Sequence, residues 1–308
     1  MINLQEALGR LFGSVAAPRR GLATSSLADV SLADVPGSEE RLRISLDGDH
    51  SSYHCGSAAA FAVIRQEAER AGCIVHGSKN YDILVMNGEG TMHHGSRGSH
   101  QKMEKIRRAL ESGKRVALVN TVWQSNPVEF AEVLRGCEIV VAREVLSQRE
   151  LLNLGVNASV SPDQSYFAKI DESAPFIDYG GAAVFTDFWS EDFQSFVSLN
   201  SKWSARFPQL DMTSMTWSSV VKSLRTASVL VTGRHHAVYA ACRAEIPFLA
   251  MHGNCHKIEG LVLSANCSIP VFRSFPQLRD ALEASAFPTE AYQTLFSWLR
   301  AQAPWRLA

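Results

Sequence analysis

A guanidinium and two imidazoles stand where an apolar run hands over to a run of small residues, in VLVTGRHHAVYAACRAEIPFLAM, residues 229–251. Arg234 is a bidentate partner for a carboxylate or phosphate, and His235 and His236 titrate near neutrality. Other apolar runs end in groups of the same kind. In DILVMNGEGTMHH, Asn87, Gly88, Glu89 and Gly90 make a turn whose backbone N–H groups suit an anion, with His94 just beyond. In IVVAREVL, Arg143 follows four apolar residues, so its charge must be paired or face a cleft, and Glu144 beside it is one candidate partner. Asn120 and Trp123 close another run, Asp163 a further one, and His252, Asn254, His256 and Lys257 follow the run ending at Met251. Asp47, Asp49, His50 and His54 follow the first. Nearly all the histidines therefore fall at run ends, whereas histidines packed into a core would be scattered through it. The clustering points to a functional cleft.

Metal chemistry fits these spacings poorly. His93–His94 and His235–His236 are adjacent pairs, whose members point apart on a regular element, and His252 and His256 are separated by Gly253 and Asn254, which disfavour a helix. No H-E-x-x-H occurs, and the six cysteines form no C-x-x-C pair. The expectation is a site without metal.

The elements that must position these groups are legible in the apolar pattern. Six strands alternate with helices from residue 42 to residue 163, the helices falling at 57–71, 101–111, 126–134 and 147–154. Asn126 and Pro127 read as the cap and first turn of the third of these helices. The alternation breaks at KIDESAPFIDYGG and then resumes, with helices expected at 191–203, 217–227, 236–244, 257–264, 277–284 and 290–301. This order predicts an α/β fold: two Rossmann-like domains of parallel sheet facing a cleft, glycosyltransferase-B-like in arrangement. The expected domains are 41–172 and 180–288, preceded by a short helix and tether over 1–40 and followed by a C-terminal helix over 289–308 that returns to the first half. Ligands of open parallel sheets bind beyond the carboxyl ends of the strands, where the polar groups above fall.

Composition narrows the partners. A chain of 308 residues, 46% hydrophobic and 20% charged, is globular and long enough for two cores. A formal net charge of -1 leaves no global field for nucleic acid, so an anionic ligand must meet a local basic site. No apolar run approaches a bilayer span, and the unpaired cysteines suit a reducing compartment, so a cytoplasmic protein is expected. Its amphipathic start is a candidate contact for the inner face of a membrane or for a partner chain.

Taken in order, DILVMNGEGTMHH, ALVNTVWQ, IVVAREVLSQRELLNLGV, SPDQSY and VTGRHHAVYAACRAEIPFLAMHGNCHKIEGLV resemble the polysaccharide pyruvyl transferases, over roughly residues 42–275. The family's Arg-x-His motif falls on Arg234 and His236, with His235 at the variable middle position, and its ARE segment on Arg143. Glu89 stands where many members have glycine or a small residue. The resemblance implies transfer of a pyruvyl group from phosphoenolpyruvate, as donor substrate and without a cofactor, to a hydroxyl pair on a sugar of a cell-surface polysaccharide, leaving a ketal. In that scheme His236 handles the proton, with Arg234, Glu89 and Asp163 as the other catalytic candidates. Arg143, Lys257, Asn87, Gly88, Gly90, His94, Asn120, Trp123, His235 and His256 are then expected to bind substrate. The saccharide acceptor, lipid-linked or free, and other polysaccharide-assembly proteins are the implied partners. Two alternatives share these residues: a glycosyltransferase using a nucleotide-activated sugar, and a non-catalytic scaffold in polysaccharide assembly.

Overall fold

The computed structural model describes residues 41–77, 80–186, 195, 197–285 and 287–307. The helix and tether expected over 1–40 lie outside the described residues, as do residues 191–194 and 196 of the helix expected over 191–203.

The first half runs β1 (Leu42–Asp47), α1 (Cys55–Ala71), β2 (Gly72–Ile74), β3 (Ile83–Glu89), α2 (Arg97–Glu111), β4 (Arg115–Thr121), α3 (Glu129–Leu134), β5 (Ile139–Ala142), α4 (Val145–Asn153) and β6 (Ser159–Val160), ending in a 3-10 turn, Gln164–Phe167. The second half runs β7 (Ala183–Thr186), α5 (Ser201–Ser204), β8 (Gln209–Leu210), α6 (Trp217–Leu224), β9 (Val229–Thr232), α7 (His235–Ala244), β10 (Phe248–Met251), α8 (Lys257–Ser264), β11 (Val271–Phe272), α9 (Phe275–Glu283) and α10 (Thr289–Arg300). The strands pair in the orders β2-β1-β3-β4-β5-β6 and β11-β10-β9-β7-β8. Every pairing is parallel, so the two Rossmann-like sheets expected from the alternation are present.

Each sheet is covered on both faces, as parallel strands require. Met86, Leu118, Trp123 and Phe130 fill one side of the first sheet, and Ile44, Val85, Val119 and Trp305 the other. Phe185, Val231 and Leu249 fill one side of the second. Its other side belongs to a larger cluster in which Cys55, Ala59 and Val63 of α1 pack with Trp217, Leu224 and Ala237. Through α1 the two halves share a core, and Glu40–Ala308 forms one compact unit.

Two local expectations differ. Asn126 caps no helix: its Oδ1 accepts from Gly95 N and its Nδ2 donates to Met92 O, while α3 starts three residues later, after Val128 and without a side-chain cap. The C-terminal helix does not itself return to the first half. Tyr292, Leu295 and Phe296 of α10 pack in the second-half core, and the segment after the helix crosses back, burying Trp305 and Leu307 against the first sheet. Trp305 N donates to Gln164 Oε1 at 3.3 Å and Ser161 Oγ to Ala303 O at 3.2 Å. Among the described residues no helix is long and apolar enough to cross a membrane.

Candidate functional site

The carboxyl ends of β3, β5, β9 and β10 converge on one cavity of about 270 Å³. Of the residues singled out in the sequence, Glu89, Gly90, Arg143, Arg234, His235, His236 and Lys257 line it, drawn from both halves. They are joined by His50, Tyr53, His54, Thr91 and Asn254.

Arg143 is 1% exposed and pairs through Nη1 with Asp163, which is fully buried behind the cavity wall. Its Nε and Nη2 are buried with no hydrogen-bond partner among the described residues. A Cβ built on Gly90 would lie 3.5 Å from Arg143 Nη2 and 3.7 Å from Lys257 Nζ, so the two cations converge on the space above Gly90. Lys257 Nζ also donates to Asn254 Oδ1 at 2.8 Å. Arg234 sits at the start of α7 with its guanidinium 5.6 Å from the Tyr53 ring centroid. His235 is 4% exposed, and neither ring nitrogen has a hydrogen-bond partner among the described residues. Burial, with Arg143 beside it, holds its imidazole well below the usual range, so it meets a ligand as a neutral ring. Burial also lowers the Lys257 ammonium, Arg143 pushing the same way against Cys255.

Asp163 is the hub beneath these groups. His236 Nε2 lies 3.3 Å from its Oδ2, the same oxygen that Arg143 Nη1 reaches. Burial disfavours the charge, but His236 and Arg143 together hold the carboxyl well below its usual range. Asp163, His235 and His236 bring ligand atoms within 4.8 Å of one another, a spacing a metal could use. The Arg143 guanidinium already neutralises this carboxylate, and a metal cation there would face it at close range.

Several expected ligand contacts resolve differently. Trp123 is fully buried against Phe130 in the first core, because the chain turns inward after β4, and it does not reach the cavity. Asn87 and Asn120 are equally buried and bond to each other at 3.1 Å. Asn87 ties to Gly48 O and Asn120 to Gln164 N, so both brace the strand ends. Gly88 gives close packing: a Cβ there would lie 2.4 Å from Thr121. His94 is exposed and meets His93, 3.0 Å between their Nδ1 atoms. His256 bridges the halves away from the cavity, its Nε2 3.4 Å from Glu144 Oε1 and 3.3 Å from Ser147 Oγ. Glu144 is not the partner of Arg143; it caps α4 by accepting from Leu146 N and Ser147 N.

Glu89 holds an unusual backbone position. Its φ is 47°, a left-handed conformation that suits glycine and costs another residue roughly 1–2 kcal/mol. A 2.5 Å hydrogen bond from Ser57 Oγ holds its carboxylate in that position at the cavity wall. Asn120, at φ 53°, lies where the β4–β5 register shifts, and that bulge turns its side chain inward.

His54 is the functional candidate that sequence reasoning left off the list of site residues, although its position after β1 marked it as a strand-end group. Burial, with His236 and Arg234 nearby, pushes its imidazole down to about 2 from the ordinary 6.5. The unfolded chain therefore takes up a proton here that the folded chain refuses. The stability tied to this ring is present above pH 6.5 and is lost as pH falls below it, by up to about 1.4 kcal/mol per pH unit. Urea unfolding between pH 5 and 7 is expected to show a shallower pH slope for His54→Gln than for the wild type.

No protein-family model matches the chain, and no curated protein matches it. Solved structures do share its fold. A functionally uncharacterised protein of Klebsiella pneumoniae is 12% identical with TM-score 0.51, over 72% of this chain and 86% of its own. A candidate UDP-N-acetylglucosamine 2-epimerase of Listeria monocytogenes is 7% identical with TM-score 0.57, over 83% and 90%. The UDP-GlcNAc 2-epimerase of Neisseria meningitidis, solved with UDP-GlcNAc bound, is 8% identical with TM-score 0.51, over 82% and 93%. The likeness is one of fold: two Rossmann-like halves in the glycosyltransferase-B-like arrangement.

Proposed function

We propose that the protein is an enzyme that transfers the pyruvyl group of phosphoenolpyruvate to two hydroxyls of a sugar, forming a ketal. The observation that carries this reading is the convergence of Arg143 Nη2 and Lys257 Nζ over Gly90, in a cavity that Arg234 and His235 also line. Buried guanidinium and imidazole nitrogens without partners are costly unless a ligand satisfies them. The cavity, about 270 Å³, is suited to a compact anion carrying both a carboxylate and a phosphate.

The reaction needs a proton on the methylene carbon, attack of one hydroxyl at C2, and displacement of phosphate by the second. The carbon gains one proton and the two hydroxyls give up two, the second balanced by the departing phosphate. The cations stabilise the anionic donor and the leaving phosphate. His236, oriented through Nε2 by Asp163, is the base for a hydroxyl. Tyr53, 42% exposed at the rim, offers a face for the sugar ring.

A second reading, a transferase or epimerase acting on a nucleotide-activated sugar, is favoured by the fold shared with an epimerase bound to UDP-GlcNAc. Such a ligand outgrows this cavity and would extend along the cleft. Thermal unfolding with phosphoenolpyruvate, UDP, UDP-GlcNAc, CMP and GDP separates the two. Phosphoenolpyruvate at a hundred times its Kd is expected to stabilise the protein by about 2.7 kcal/mol. A response to a nucleotide alone would replace the first reading with the second, and no response to any ligand would favour a non-catalytic scaffold.

A further inference from the structure

His54 joins the two halves of the site through a hydrogen-bond chain whose direction can be worked out atom by atom. It is the N-cap of α1, in extended backbone, and its Nδ1 accepts from Gly56 N at 3.0 Å and Ser57 N at 3.4 Å. An imidazole nitrogen that accepts carries no hydrogen, so the proton of the neutral ring is on Nε2. That nitrogen lies 3.3 Å from Nδ1 of His236, 182 residues further along the chain. The rings meet edge to face, with centroids 4.8 Å apart. His236 Nδ1 must then accept, which leaves the hydrogen of a neutral His236 on Nε2, 3.3 Å from Asp163 Oδ2 without a hydrogen bond to it among the described residues. Arg143 pairs with the same carboxylate oxygen.

We infer that His54 is a positioning residue: by donating from Nε2 it keeps Nδ1 of His236 unprotonated, and Nδ1 is the atom that takes the proton of the attacking hydroxyl once that hydroxyl displaces His54. The proton-accepting role rests on the transferase reading above; the hydrogen-bond order does not. His54 sits at the N-terminus of α1, where the backbone field opposes an added positive charge. At His54 the nearby Arg234 opposes it as well, and Asp163 lies on the Nε2 side of His236. The contact exists because the two helix starts approach closely at Gly56: a Cβ there would lie 2.5 Å from His236 Cβ. Residues of the first half thereby set the protonation pattern of a base in the second. A sugar hydroxyl that replaces His54 at Nδ1 meets a base already deprotonated and aimed by Asp163.

Nitrogen NMR of 15N-histidine-labelled protein at neutral pH tests the assignment. The wild type is expected to show His236 with a protonated Nε2 and an unprotonated Nδ1. His54→Asn retains an acceptor for the α1 cap but is too short to reach His236. It is expected to keep its melting temperature, lose the single His236 tautomer, and lower kcat at least about tenfold with KM for phosphoenolpyruvate unchanged. A wild-type His236 protonated on Nδ1, or on both nitrogens, overturns the inference; so does a His54→Asn protein with the wild-type tautomer and kcat. If phosphoenolpyruvate proves not to be a substrate, the transferase reading fails while the tautomer result still decides the role of His54. The wild-type spectrum decides it even if the variant does not fold.

Discussion

Arg143→Met is expected to lower the stability of the folded chain by about 3–5 kcal/mol, the cost of stranding one member of a buried ion pair. The volume is nearly preserved, so packing is not the cause. The substitution leaves the fully buried Asp163 carboxylate without its guanidinium, with the His236 ring 3.3 Å away. His236 can compensate only by taking a second proton, which would spoil it as a base. The variant should therefore lose donor binding and turnover as well as stability. Urea denaturation measures the first loss, and a double-mutant cycle with Asp163→Asn isolates the pair. The double variant should be more stable than Arg143→Met alone, because no charge is then left buried. A single variant as stable as the wild type would mean that the pair contributes nothing to folding.

Gly90→Ala is expected to leave the fold unchanged and to weaken phosphoenolpyruvate binding at least tenfold, or about 1.4 kcal/mol. The added methyl meets Arg143 Nη2 at 3.5 Å and Lys257 Nζ at 3.7 Å, ordinary contact distances, so nothing has to move. It would occupy the space on which both cations converge. Calorimetric titration reads the affinity, and a thermal melt of the free protein controls for folding. Gly88→Ala is the contrasting neighbour: its methyl would lie 2.4 Å from Thr121 between paired strands, and should damage folding itself. Undiminished affinity in Gly90→Ala would place the anion elsewhere in the cleft.

Much of this protein follows from the sequence through one topological rule. Alternating apolar strands and amphipathic helices form parallel sheets, and in parallel sheets every strand leads into its loop at the same edge. Residues that are distant in the chain, such as Glu89, Arg143, Arg234 and Lys257, were therefore bound to gather once the alternation was recognised. Their chemical types, guanidinium, ammonium and imidazole, are ones that suit an anion.

What the pattern could not decide is which strand-end groups face the cavity and which turn into the protein. Trp123 and Asn120 follow the same strand as residues at the edge, but the bulge in β4 and the left-handed turn at Asn120 send both inward. Arg143 and Glu144 are adjacent, yet one reaches Asp163, twenty residues on, while the other caps its own helix. The role of His54 depends on a ring 182 residues away, brought within reach by two helix starts packed at Gly56. Spacing along a chain specifies which edge a residue occupies, because hydrogen-bonded backbone geometry repeats. Side-chain direction and hydrogen-bond partner depend on single φ values and on close contacts between remote segments, and those exist only once the two halves have packed together.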